Sequence, residues 1–139
     1  MTPAAERRFT AALEHIPGMV AFVAENAAAL GVHPQRILQL ELATEEVVAN
    51  ICSYAYEVPP GEVVISVYRA AGTVRVDFVD NGVLFDPLAA DAPDLQADLE
   101  NREIGGLGIF LIRRILDEVH YSRRDDRNVL TLVVKHETA

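Results

Sequence analysis

Two runs of strict alternation constrain this chain more than any other feature. Val63, Ile65 and Val67 alternate with Val64, Ser66 and Tyr68, and Val74, Val76, Phe78 and Asp80 alternate with Arg75, Asp77 and Val79. Side chains of a strand point to opposite faces in turn, so a period of two marks both runs as strands. The short link Ala70-Ala71-Gly72-Thr73 is what neighbouring antiparallel strands closed by a tight turn require. A hairpin with one apolar face follows, and something must cover that face.

The stretch before it supplies a cover. From Leu38 to Tyr56, Leu40, Thr44, Val47, Ile51 and Ala55, with Ile37 just ahead, recur at the three-and-four spacing of a helix stripe. Leu38, Leu42 and Ala49 are expected to widen the stripe. Pro34 begins this helix and the turn Glu57-Val-Pro-Pro-Gly61 ends it, because prolines cannot continue helical hydrogen bonding. Glu46 and Asn50 stand one turn apart on it, where a helix facing a cleft presents both to one ligand. Taken alone, such a pair is more often a solvated helix edge. A second helix is expected over Ile16 to Leu30, with Pro17 in its first turn and Gly31 as its stop. Arg8 to Leu13 alternates weakly, which suits a short first strand, a frayed segment or a helix start.

At 139 residues the chain fits one domain, 1–139, large enough for a core without disulfides or metal. The net charge of −9 argues against nucleic acid or anionic membrane as the main partner. It leaves nucleotides open, since a local nest of backbone N–H groups binds phosphate inside an acidic protein. The single cysteine, Cys52, permits no internal disulfide and reads as a packed core thiol. His15, His33, His120 and His136 have no partners at metal-ligand spacing. No leader-like apolar run follows the N-terminal charges and no stretch is long enough to span a bilayer, so a cytoplasmic location is expected.

After Asp80 the alternation stops. Asp80-Asn81-Gly82 alone is a common turn, but no clear strand follows it. An aspartate ending an apolar strand can instead face a cavity and accept from a donor such as the adenine amino group, with Gly82 letting the base approach the backbone. Residues 83–104, rich in Ala, Asp and Pro, read as a long loop of the kind that forms lids. Gly105-Gly106-Leu107-Gly108 then opens an apolar helix carrying Ile109, Leu111, Ile112, Ile115, Leu116 and Val119. Glycines at a helix start let backbone N–H groups and the helix dipole meet a phosphate. The spacing is not that of a P-loop, and no strand precedes the glycines as a Rossmann site requires. Two closing strands are expected at His120 to Arg123 and Asn128 to Val134, joined by Arg124-Asp-Asp-Arg127.

The order Glu46…Asn50, Asp80…Gly82, lid, Gly105-Gly-Leu-Gly108 resembles the GHKL, or Bergerat-fold, ATPases. With Ala55-Tyr56, Phe85-Asp86-Pro87 and Asp117-Glu-Val119 it is similar, more narrowly, to single-domain anti-sigma-factor serine kinases, over nearly the whole chain. The resemblance implies an α/β (α+β) two-layer sandwich, with a mixed, mostly antiparallel sheet and helices on one face, binding ATP and Mg²⁺ under the lid. It implies Glu46 as the base for a partner's serine hydroxyl, Asn50 as a Mg²⁺ ligand, Asp80 and Gly82 at adenine, Gly105, Gly106, Leu107 and Gly108 at phosphate, and Thr131 approaching adenine. It further implies a sigma factor and a STAS-type antagonist as partners, the antagonist being the phosphorylation substrate, and a homodimer. Two positions depart from the family pattern: Leu84 stands where a second glycine is usual, and Tyr54 where histidine often precedes Ala-Tyr. The alternative is a nucleotide-responsive module that sequesters a partner without transferring phosphate.

Overall fold

The computed structural model describes residues 2–54, 61–82 and 112–135. The elements run β1 (Ala5–Ala11), a short 3-10 turn (Leu13–His15), α1 (Ile16–Ala29), α2 (Pro34–Tyr54), β2 (Gly61–Ala70), β3 (Thr73–Asp80), β4 (Glu118–Arg124) and β5 (Arg127–Lys135). The strands form one sheet in the order β1-β2-β3-β5-β4. Every pairing among the described residues is antiparallel, so the expected mixed component is not seen there.

Local sequence explains the turns. Ala71 and Gly72 close the β2–β3 hairpin, with Gly72 at φ 71° in the left-handed region that lacks a Cβ clash. Asp125 and Asp126 close β4–β5 with φ of 50° and 61°, the two positive values of a type I′ turn, which aspartate tolerates. Helix α1 ends in a Schellman motif: Gly31 N–H donates to the Ala28 carbonyl at 3.0 Å and Val32 N–H to that of Ala27 at 3.1 Å. Both Ala27 and Val32 are buried, which supplies the apolar contact that accompanies the motif. At the start of α2, Gln35 N–H donates to His33 Nδ1 at 3.2 Å, so this histidine caps a helix.

One face of the sheet carries the core. Phe9, Val63, Ile65, Val67, Val74, Val76, Phe78, Leu130, Leu132 and Val134 pack in a single cluster with Met19, Val23 and Ala27 of α1 and Leu40, Val47, Val48 and Ile51 of α2. The weakly alternating N-terminal segment is a true strand, β1, at the sheet edge, with Phe9 and Ala11 turned inward. Cys52, partly buried, packs against this cluster.

Two expectations are corrected. Leu38 and Leu42 do not widen the buried stripe of α2; they are 63% and 62% exposed. At about 3.6 residues per turn they fall opposite Leu40, Val47 and Ile51, and Ala43 and Val48 widen the stripe instead. The last helix does not reach Val119: residues 112–115 are helical, and β4 starts at Glu118. Val119 and Tyr121 pair with Leu132 and Leu130 of β5, so strand pairing overrides a helical spacing that Val119 also fits.

Residues 112–115 are tied down by a polar knot. The Arg36 guanidinium on α2 donates to the Ile115 carbonyl at 3.1 Å and pairs with Asp117, whose Oδ2 also accepts from Lys135 N–H at 2.7 Å. One ion pair thus links α2, the end of the helical segment and the end of β5.

Candidate functional site

Two groups of polar side chains are buried or half-buried, one on a covering helix and one on the sheet face it covers. The first lies on α2. Asn50 is 6% exposed, and its Nδ2 donates to the Glu46 carbonyl at 3.0 Å, the back-bond of an asparagine within a helix. This fixes the amide and leaves its Oδ1 without a donor among the described residues. Glu46 sits at the edge of the buried stripe, half-buried, and its Oε1 is buried with no hydrogen-bond partner among the described residues. Burial raises its pKa, the neighbouring Glu45 charge raises it further, and the Asn50 side chain partly opposes both.

The second group lies at the end of the central strands. The alternation that buries Val74, Val76 and Phe78 carries Asp80 onto the same face, 4% exposed. Asp80 Oδ1 accepts from Gly82 N–H at 2.9 Å and from Asn128 Nδ2 at 3.0 Å. Asn128 Oδ1 accepts from the Tyr121 hydroxyl, and Arg123 Nη1 donates to the Gly82 carbonyl at 2.9 Å. Burial pushes the Asp80 carboxyl up, while Asn128, the Gly82 amide and the Arg123 charge pull it back. What results is a desolvated carboxylate with one oxygen served and the other, among the described residues, open, the form of an acceptor kept for a ligand.

Glu46 and Asn50 lie on α2, which covers one face of the sheet, and Asp80 is brought to that same face. Thr131 is not. It pairs directly with Asp77, donates to Asp77 Oδ1 at 2.8 Å, and lies on the opposite face beside a surface hollow of about 430 Å³ lined also by Arg75, His120 and Ser122. The reason is parity: Asp77 and Asp80 are three residues apart on one strand, so their side chains and those of their partners point opposite ways. The residue opposite Asp80 is Asn128. Sequence reasoning missed it, although an asparagine in line with Leu130, Leu132 and Val134, where an inward apolar residue is expected, was the available signal. Gly105, Gly106, Leu107 and Gly108, the lid, Leu84 and the Phe85-Asp86-Pro87 stretch lie outside the described residues, as does the side chain of Tyr54.

Among the described residues no cluster of three or more His, Cys, Asp or Glu is fit to hold a metal by itself. Asn50 Oδ1 is nonetheless a hard oxygen donor, suited to an ion such as Mg²⁺ that keeps waters and phosphate oxygens as its other ligands. The orphaned Glu46 oxygen beside it gives the same place a second acceptor.

A fold of helices on one face of an antiparallel sheet, with an aspartate closing an inner strand and a Glu–Asn pair on the covering helix, defines a nucleotide-binding ATPase domain of the GHKL kind. The chain belongs to the histidine kinase-like ATPase domain family, whose model matches residues 9–134. Among curated proteins it is 33% identical over 94 residues to the serine/threonine-protein kinase BtrW of Bordetella bronchiseptica, covering 67% of this chain and 66% of that protein, just under two thirds of its length. It is 25% identical over 129 residues to the serine-protein kinases RsbW of Bacillus thuringiensis and Bacillus cereus, covering 90% of this chain and 81% of each relative. Among the described residues no helix is long and apolar enough to cross a membrane.

Proposed function

We propose that this chain is an ATP-dependent protein-serine/threonine kinase of the anti-sigma regulatory type, acting on a serine of a STAS-type antagonist and binding a sigma factor. The observation that carries the catalytic part is the Glu46 carboxylate, half-buried, lifted in pKa and, among the described residues, left with an unpartnered oxygen one turn from Asn50. The names of the relatives, all kinases, support the same reading.

Bound Mg·ATP supplies the transferable phosphoryl group and the cation that neutralises its charge. The chain's own residues do the rest. Asp80 accepts from the adenine amino group through its open oxygen, and Gly82 keeps the adjoining backbone free of a side chain. Asn50 offers Oδ1 to the cation, its amide having been turned by the back-bond to Glu46. The glycine-rich run Gly105, Gly106, Leu107 and Gly108 is assigned to the phosphates from its sequence. Glu46 takes the proton of the attacking serine hydroxyl, and a raised pKa suits that task because proton affinity then lies nearer the working pH.

Titration of Mg·ATP into the wild type and into Asp80→Asn tests the nucleotide site. Transfer of labelled phosphate to a candidate antagonist tests the kinase. A module that binds nucleotide without transferring it gives the first result and fails the second.

A further inference from the structure

We propose that Asn128, oriented by the Tyr121 hydroxyl, makes the site selective for an amino-bearing purine over an oxo-purine by occupying one oxygen of Asp80. The inference rests on the reading of Asp80 as the base anchor and goes beyond it, to residues that do not touch the ligand.

The register sets the positions. Asn128 on β5 is directly opposite Asp80 on β3 and directly opposite Arg123 on β4. Three polar side chains therefore stand in a row at one end of a face that, the Tyr121 hydroxyl aside, is apolar. Such a row is expensive to bury unless its hydrogen bonds are arranged, and here they are. Asn128 Oδ1 accepts only, and the Tyr121 hydroxyl donates to it. That turns the Nδ2 donors toward Asp80, where one meets Oδ1 at 3.0 Å. Gly82 N–H meets the same oxygen at 2.9 Å. Both lone-pair directions of Oδ1 are then used, and Asp80 Oδ2 accepts no hydrogen bond from the described residues.

The consequence is a choice between bases. A carboxylate with both oxygens open forms a fork, which matches the two adjacent donors of guanine, N1–H and the 2-amino group. With Oδ1 filled, Asp80 offers one oxygen only, which suits the single exocyclic amino group of adenine. Asn128 is in this sense a positioning residue: it removes the second prong.

Affinities for Mg·ATP and Mg·GTP are measured by calorimetry in wild type, Asn128→Leu and Tyr121→Phe, with Asp80→Asn as the control for the anchor. The expected result is an ATP-over-GTP preference in the wild type that falls about ten-fold in Asn128→Leu, the worth of one hydrogen bond to a charged group. Tyr121→Phe, which keeps the ring and removes the hydroxyl that donates to Asn128 Oδ1, lowers the preference in the same direction by a smaller factor. If Asp80→Asn weakens ATP binding yet the preference is unchanged in both variants, the anchor stands and the selectivity proposal is overturned. If wild type binds ATP and Asp80→Asn leaves its affinity unaltered, the anchor reading fails and the selectivity proposal with it. Should Asn128→Leu not fold, Tyr121→Phe alone decides.

Discussion

Replacing Glu46 with glutamine separates what this residue does for the fold from what it does for chemistry. Its Oε1 is buried without a partner among the described residues, and burial and Glu45, only partly opposed by Asn50, raise its pKa above the ordinary 4.5. Ionised at neutral pH, the group therefore works against folding. The sign follows from linkage: a carboxyl whose folded pKa is raised favours the folded state most below the unfolded pKa, and that contribution is lost as pH rises through the folded pKa. An unsatisfied buried polar group costs about 1–3 kcal/mol, and the half-buried setting of Glu46 puts it at the lower end. Glu46→Gln keeps the shape and still leaves a polar atom unpartnered there, but it removes the buried charge and the repulsion from Glu45, so it should stabilise the protein by about 1 kcal/mol at most at pH 7, or up to about 3 °C in melting temperature for a chain of this size. Most of the gain should be gone by about pH 4, where the wild-type carboxyl is largely protonated in both states. Loss of the base should meanwhile slow phosphoryl transfer by about 10²–10⁴-fold, with ATP affinity little changed. Thermal melts at pH 7 and pH 4 measure the first effect, and single-turnover transfer to the antagonist measures the second. A variant that melts several degrees lower would show that Glu46 supports the fold, and undiminished transfer would remove it from the reaction.

Asp80→Asn should weaken Mg·ATP binding by about 10–100-fold, the loss of a charge-assisted acceptor, with an unchanged circular dichroism spectrum; calorimetry decides. Thr131→Val should cost about 1 kcal/mol by removing the bond to Asp77, seen as a lower urea midpoint, while ATP affinity stays within about two-fold, because the residue lies on the other face of the sheet. Arg36→Leu unties α2 from the Ile115 carbonyl and Asp117, and chemical denaturation should register a loss of about 1 kcal/mol, the modest figure reflecting a partly exposed pair.

The fold was legible wherever one period dominated. Alternation placed β2 and β3, a Pro and a Gly bounded α1, and the paired aspartates announced the turn before β5. Legibility failed where two periods coincide or where a property depends on register. Val119 satisfies helical spacing from Ile112, Ile115 and Leu116, yet it pairs with Leu132 in the sheet. Leu38 and Leu42 are apolar but stand on the far side of α2, and residue type alone does not say on which side of a helix the sheet lies. In the candidate site, Asp80 stood out because no clear strand follows it, and Glu46 and Asn50, which alone read as a solvated helix edge, through the motif order that resembles the GHKL family. Asn128 was not, because its meaning comes from lying across from Asp80, a pairing set by the β3–β5 register over a long sequence separation.

The two acids of the site illustrate how a fold assigns different chemistry to the same functional group. Burial raises the pKa of both Glu46 and Asp80. Around Asp80 the sheet supplies opposition: the Asn128 amide, the Gly82 N–H and the Arg123 guanidinium all favour the charged form. Around Glu46 only the Asn50 side chain opposes the shift, Oε1 has no partner among the described residues, and Glu45 adds repulsion. An anchor for an amino group must remain an acceptor, so donors that hold it ionised are what that role needs. A base must instead bind a proton in the course of reaction, and donors that stabilised its carboxylate would weaken it. The distribution of hydrogen bonds between the two carboxylates thus matches the division of labour proposed for them, anchor on the strand and base on the helix.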